Sequence, residues 1–305
     1  MAAVIALLVL LFVSALLCLA ARFFFRYTFL RAEKPDPWCD EEGVLKDRAF
    51  YERPDRQVLE MQSRDGLTLR ALLYDRGAPV TAILCHGYRG GPEELSGVAA
   101  GLYERGMNVV LIWQRAHGRS EGGYFTMGHR EKQDVADWAA RVAALRPNDR
   151  LVLFGWSMGG NAVMGAVGEK LPDAVVCAVE DCGYESLRDQ LLYTCALAMP
   201  RLPCKGFFLD LLGLYCRLFK GFPVRETRKD ALGRCRVPML FIHGMRDDVV
   251  PYDNLERCYT ECAAKKLCAS YARGVHVGSC GSEPERYFRE LCAFIHDSIG
   301  ETTAI

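Results

Sequence analysis

The sequence predicts an α/β protein: a mostly parallel, eight-stranded sheet with helices on both faces, an inserted helical cap and an N-terminal transmembrane helix. Three observations predict it. Short apolar runs of strand type alternate with longer stretches of helical periodicity, an alternation that requires crossover connections. One interval between two strands is far longer than a crossover helix needs. The first part of the chain is apolar, uncharged and free of proline.

That first run, Ala2 to Ala21, has the length of about twenty helical residues that spans the hydrocarbon of a bilayer. A cleaved signal peptide is also apolar and N-terminal, but it carries basic residues ahead of its apolar stretch. Here only Met1 precedes the run, while Arg22, Arg26, Arg31 and Lys34 follow it. The charges favour an uncleaved single-pass anchor in the cell membrane, with the basic flank and the domain behind it in the cytoplasm. Phe23 to Phe29 supplies the aromatic residues of an interfacial belt.

Residues 1–31 are therefore read as anchor and basic flank, 32–55 as a polar, proline-bearing linker, and 56–300 as the folded domain. That domain opens with an antiparallel hairpin, Val58 to Gln62 and Leu67 to Tyr74, around a turn at Asp65 and Gly66. Buried-strand runs come next at Thr81–Cys85, Asn108–Trp113, Leu151–Gly155, Ala174–Glu180, Pro238–His243 and Leu267–Tyr271. Helical stretches lie at Glu93–Arg105, Arg130–Leu145, Gly160–Glu169, Tyr252–Ala264 and Pro284–Ile299. The long interval, 182–236, is the expected cap insertion.

Composition removes several function classes. Lys plus Arg and Asp plus Glu number 38 each, so no global field draws nucleic acid, and none is expected as a partner. The 14 cysteines do not form C-x-x-C pairs or sit with a histidine cluster, and a chain of 305 residues needs no disulfide framework to fold. Small buried thiols in a reducing compartment are expected, with no metal and no cofactor.

The chemistry concentrates where Gly155, Trp156, Ser157, Met158 and Gly159 spell G-x-S-x-G between a buried-strand run and a helical stretch. A sharp strand-to-helix turn there exposes the serine at the sheet's carboxyl edge. A serine hydroxyl needs a base, and imidazole is the usual one near neutral pH. Of the 6 histidines, His86 and His243 each end a strand before a glycine, as structural turn residues do, His296 lies within the last helix, and His117 and His129 come after the Asn108 run. His276 remains, on the loop after the last strand. The imidazole needs a carboxylate to orient it, and Asp247 and Asp248, after the preceding strand, both qualify. Backbone donors for a developing oxyanion are expected from Tyr88, in the H-G-x-x-G-G turn at His86, and from Met158.

With these residues the chain resembles the α/β-hydrolase superfamily, and within it the membrane-anchored bacterial members similar to the serine aminopeptidase S33 and monoacylglycerol lipase group. The resemblance covers about Val58 to Ile299. It rests on H-G-Y-R-G-G at His86, Ala116 to Ser120 with Gly122 and Gly123, G-W-S-M-G-G at Gly155, H-G-M-R-D-D-V-V-P at His243, and Gly274 to Ser279. The order Ser, Asp, His is that of the superfamily. The resemblance maps the acid onto Asp247 and leaves Asp248 in a variable position. Two departures stand out: Ala116 replaces a glycine, and Val275 lengthens the usual G-H to Gly274, Val275, His276.

The function expected of these residues is that of a serine hydrolase cleaving carboxylic esters through an acyl-enzyme. The apolar residues of the cap and the anchor point to a lipophilic acyl ester or thioester as the small-molecule substrate. An S33-like aminopeptidase is the alternative, for which the sequence offers no clear acidic pair to hold a substrate amine. A membrane-tethered, non-catalytic binding module is the alternative of another class; an intact nucleophile, base and oxyanion turn weigh against it.

Overall fold

In a computed structural model the chain is described over residues 1–31 and 36–300. Lys34 and the start of the expected linker lie outside the described residues. Two compact units emerge, one of Met1–Leu30 with Ser186–Glu226, the other of Arg31–Glu185 with Thr227–Ile305.

The larger unit carries the sheet. Its strands are β1 Gln57–Gln62, β2 Thr68–Tyr74, β3 Val80–Cys85, β4 Asn108–Ile112, β5 Arg150–Trp156, β6 Val175–Asp181, β7 Met239–Gly244 and β8 Lys266–Tyr271, in the order β1-β2-β4-β3-β5-β6-β7-β8. The hairpin β1–β2 and the pair β2–β4 are antiparallel; every later pairing is parallel. This is the mostly parallel eight-stranded sheet that the sequence predicts. Strands β3, β4 and β7 are buried along their whole length, which is why they read as continuous apolar runs rather than alternating ones.

The helices, in chain order, are α1 Ala2–Phe29, α2 Arg48–Tyr51, α3 Ser96–Glu104, α4 Glu131–Leu145, α5 Met158–Ala166, α6 Leu187–Ala198, α7 Lys205–Tyr215, α8 Lys229–Gly233, α9 Asp253–Glu261, α10 Ser279–Ser282 and α11 Pro284–Ile299. Successive strand residues face opposite sides, so Leu84, Phe154 and Ile242 join one core with Val98 of α3 and Leu291 of α11. Ile83, Leu153 and Phe241 join the other with Trp138 of α4, Ala162 of α5 and Leu255 of α9. Helix α11 is bounded as its sequence dictates, by Pro284 in its first turn and by Gly300 at φ 82° after its end.

One buried ion pair fixes the front of the sheet. Arg115, after β4, sends Nε and Nη2 to Asp134 of α4 at 2.6 and 2.7 Å and Nη1 and Nη2 to Asp65 of the hairpin turn at 2.8 and 3.1 Å. A planar guanidinium fits two carboxylates at once in this way. The next residue, Ala116, adopts φ 59°. This is the position where the superfamily's turn carries glycine, and the left-handed backbone explains why glycine is favoured there.

The smaller unit holds α1, α6, α7 and a π-helical turn at Cys216–Lys220. Helix α1 is long and apolar enough to cross a membrane. Ser186 caps α6 by accepting from the Asp189 amide at 3.3 Å. Helix α8, inside the interval 182–236, belongs to the sheet unit. There Gly168 lies so close to Ala231 that a side chain on the glycine would meet it.

Candidate active site

Strand β5 ends at Trp156 and α5 begins at Met158, so Ser157 alone makes the turn, at φ 53° and ψ −121°. A non-glycine residue held there is strained. The strain is fixed from both sides: the Ser157 amide donates to Asp181 O at 2.8 Å and its carbonyl accepts from the Asn161 amide at 3.0 Å. Gly155 and Gly159 are needed because a Cβ on the first would run into the Gly159 carbonyl and on the second into the Cys85 carbonyl.

Two loops at the carboxyl edge bring the expected base and acid to this serine. The backbone of one touches the other, Arg246 donating to Gly274 O at 2.9 Å and Met245 to Tyr271 O at 2.9 Å. His276 Nε2 lies 2.9 Å from Ser157 Oγ, and His276 Nδ1 lies 2.8 Å from Asp247 Oδ2. The other carboxylate oxygen of Asp247 accepts the amides of Val249 and Val250 at 2.9 and 2.8 Å. Asp248 is exposed on the same turn. Of the two aspartates that the sequence leaves open, Asp247 is the one whose carboxylate meets His276. Val277, directly after His276, takes φ 53°. This tight turn comes after the residue that the longer Gly274–His276 segment adds.

Asp247 is buried, which opposes its ionisation, but hydrogen bonds from His243, His276 and the Val250 amide outweigh burial and hold the carboxyl well below the usual range. His243 Nε2 stands 3.3 Å from Asp247 Oδ2 and 3.1 Å from Val250 O. Burial works against a charged His243, yet Asp247 and the nearby Glu180 raise its pKa above the ordinary histidine value. A residue read from sequence as a turn histidine is therefore a direct neighbour of the acid. Cys182 is the other group that sequence spacing misses: its sulfur, an Asp247 oxygen and a His276 nitrogen all lie within 4.8 Å of one another. Burial raises its thiol pKa.

His86 sits at the end of β3 as a turn residue should. Its Nδ1 donates to Gly87 O at 2.8 Å and its Nε2 accepts the Gln114 amide at 3.1 Å. Burial first, then the neighbouring His117, keeps it well below the ordinary pKa. The turn after it brings Gly87 against Ser157: a Cβ built on Gly87 would stand 3.4 Å from the serine Cβ. Gly87 and Tyr88 line a cavity of about 180 Å³ together with Ser157, Trp156 and His276. Met158 comes after the serine at the first position of α5, with its amide in the set of donors that a helix start leaves without an intrahelical acceptor. Glu41 and Glu94 also line this cavity.

Behind the serine lies a buried acid, Asp181, at the end of β6. Its Oδ2 accepts the Tyr287 hydroxyl at 2.8 Å and its Oδ1 the Ser279 hydroxyl at 3.3 Å. Burial pushes its pKa up to about 6, against the opposing effect of those hydroxyls and of His243 and His276. A folded-state pKa above the unfolded one favours the protonated form. Stability from this group is complete below pH 3.8 and is lost as the pH rises through 6. Asp181→Asn keeps the shape and cannot ionise; its oxygen accepts from one of the two hydroxyls and its NH2 donates to the oxygen of the other. The expected result is a variant that gains roughly 2–3 kcal/mol over the wild type between pH 4 and pH 8, read from urea unfolding at the two pH values. Equal pH slopes for both proteins would contradict it.

Strand order, elbow and the Ser157–His276–Asp247 chain define the class: the protein belongs to the α/β-hydrolase superfamily. Several known proteins are similar to it. Residues 79–182, from β3 through the elbow to the end of β6, match the family model for serine aminopeptidase, S33. The chain is similar to the uncharacterized protein YqkD of Bacillus subtilis, 24% identical over 261 residues with 83% of each chain covered. It is also similar to protein bem46 of Schizosaccharomyces pombe, 22% identical over 274 residues, covering 88% of this chain and 85% of that one. Among solved structures, the Pyrococcus furiosus esterase Pf2001 superposes with a TM-score of 0.65 at 21% identity, over 80% of this chain and 91% of that one.

Proposed function

We propose that this hydrolase is a serine esterase that works through an acyl-enzyme, with Ser157 as nucleophile, His276 as general base and acid, and Asp247 as the residue that orients the imidazole and balances its charge. The observation that carries the reading is the unbroken chain Ser157 Oγ to His276 Nε2 at 2.9 Å and His276 Nδ1 to Asp247 at 2.8 Å. In the first half-reaction His276 takes the hydroxyl proton as Ser157 Oγ attacks the acyl carbon. The tetrahedral oxyanion is held by the amides of Tyr88 and Met158. Collapse breaks the bond to the alcohol, which leaves with the proton carried by His276, and water repeats the sequence to release the acid. Val44, Val249 and Trp156 in the cavity wall favour an apolar acyl group.

One observation supports a second reading, an aminopeptidase. Glu41 and Glu94 face the cavity that holds Ser157, although Lys46 Nζ already pairs with Glu41 at 2.8 Å. A carboxylate there suits a substrate ammonium, and the S33 match points the same way. Specificity constants separate the two. Nitrophenyl acyl esters are expected to be cleaved faster than aminoacyl nitroanilides, with a preference for longer acyl chains. Faster cleavage of the anilides would reverse the assignment.

We further propose that helix α1 inserts as an anchor and that the basic residues after its uncharged run, Arg22 and Arg26 within the helix and Arg31 beyond it, keep the sheet unit on the cytoplasmic side.

A further inference from the structure

The cap carries a surface that esterolysis does not use. Within the smaller unit α7 and the π-helical turn lie along α1 rather than apart from it: Phe24 meets Phe208 and Phe25 meets Tyr215, each at 5.6 Å between ring centroids. An apolar groove of about 270 Å³ runs between them, with Ser14, Leu17 and Ala21 on the α1 side and Leu214, Leu218 and Phe219 on the other. These last three side chains are 52, 66 and 61% exposed. Large apolar residues clustered in the open are costly in water.

Depth decides what surrounds them. Ser14 to Ala21 is the last two fifths of the uncharged run read as the membrane span, and at 1.5 Å per helical residue it covers roughly 10 Å along the axis. A groove that lines this stretch is at the same level as the stretch itself. The cations fall where the apolar surface ends: Arg22 and Arg26 come after the run on α1, and Lys220 closes the π-helical turn with Nζ 4.8 Å from the Phe25 ring centroid. Long basic side chains at that level lay their stems on apolar surface and reach anionic headgroups.

We propose that α7 and the π-helical turn are seated in the bilayer leaflet beside α1, with acyl chains of the lipid filling the groove and covering Leu214, Leu218 and Phe219. This rests on the reading of α1 as a membrane span. The cap is then a monotopic element that meets its lipid at the depth where ester linkages and the first acyl carbons lie.

Tryptophan reporters in the full-length protein test it. The 4 native tryptophans all lie in the sheet unit and give a common background. The added tryptophans are Phe219→Trp and Leu214→Trp in the cap, Leu10→Trp in α1 as a marker of the span, and Leu145→Trp at the end of α4 as a marker of the sheet unit. Each protein is reconstituted in phosphatidylcholine vesicles with brominated acyl chains, which quench by contact. The expected result is loss of most of the added emission for Leu10→Trp, Phe219→Trp and Leu214→Trp, and little loss for Leu145→Trp. If Leu10→Trp is quenched while both cap reporters behave like Leu145→Trp, the span stands and the seated cap is overturned; a second protein copy over the groove gives that result. If Leu10→Trp itself escapes quenching, the membrane reading fails and the proposal with it.

Discussion

Ser157→Ala is expected to lower kcat toward esters by about five to six orders of magnitude, because nucleophile and base act as a unit and losing either one removes nearly the whole effect. The fold should not register the change. The strained backbone at φ 53° is set by the Asp181 and Asn161 hydrogen bonds and by the two flanking glycines, none of which involves the hydroxyl. Alanine inherits the same conformation at the same cost, so unfolding should shift by no more than about 1 kcal/mol. A fluorophosphonate, which forms a stable bond only with an activated serine, should label the wild type and not the variant. Labelling that persists in Ser157→Ala places the nucleophile elsewhere. A folded wild type that takes no label at all turns the reading toward a binding module that keeps the fold without the reaction.

Much of this site is legible in the chain itself, and the reason is local. The elbow is written in five adjacent residues, and the strand ahead of it is buried on both faces, so its apolar run has no competing period. The same local logic misplaces the start of α5. Gly159 and Gly160 are poor helix formers and blur the boundary, so the helical stretch is expected only from Gly160, whereas the helix starts at Met158. Tertiary packing overrides propensity here, because only glycine lets the first turn press on the carbonyl of Cys85.

The illegible part depends on strands far apart in sequence. Asp181 ends β6 and Cys182 comes directly after it, His243 sits in β7, and their meeting with Asp247 and His276 is a consequence of strand order, which no single segment encodes. His243 gives a partial signal, four residues before Asp247, but a turn histidine before glycine has the same appearance. The cap shows the same boundary of legibility. Its apolar residues are plain in the sequence, while their partner, α1, lies far from Ser186–Glu226 along the chain, at Ala2–Phe29.

Asp247→Asn is expected to lower kcat by about four orders of magnitude with KM little changed, and the geometry says why. The carboxylate presents two unequal sites. Oδ1 accepts the Val249 and Val250 amides, which can only donate; Oδ2 faces His276 Nδ1 and His243 Nε2. An asparagine must put its oxygen where the two amides point, since its NH2 there would meet two donors. The NH2 then occupies the Oδ2 site and donates to His276 Nδ1. His243 keeps a partner for Nε2 in Val250 O at 3.1 Å. An imidazole that accepts at Nδ1 carries its proton on Nε2, the nitrogen 2.9 Å from Ser157 Oγ, and cannot take the serine proton. Substrate binding does not depend on that proton, so the loss falls on kcat. Asp248→Asn, on the exposed side of the turn, is expected to stay within about twofold of wild type, in keeping with a surface change away from the reacting atoms. The pair of variants is read by steady-state ester hydrolysis. Comparable losses in both would show that the turn, and not the buried carboxylate, is what the imidazole requires.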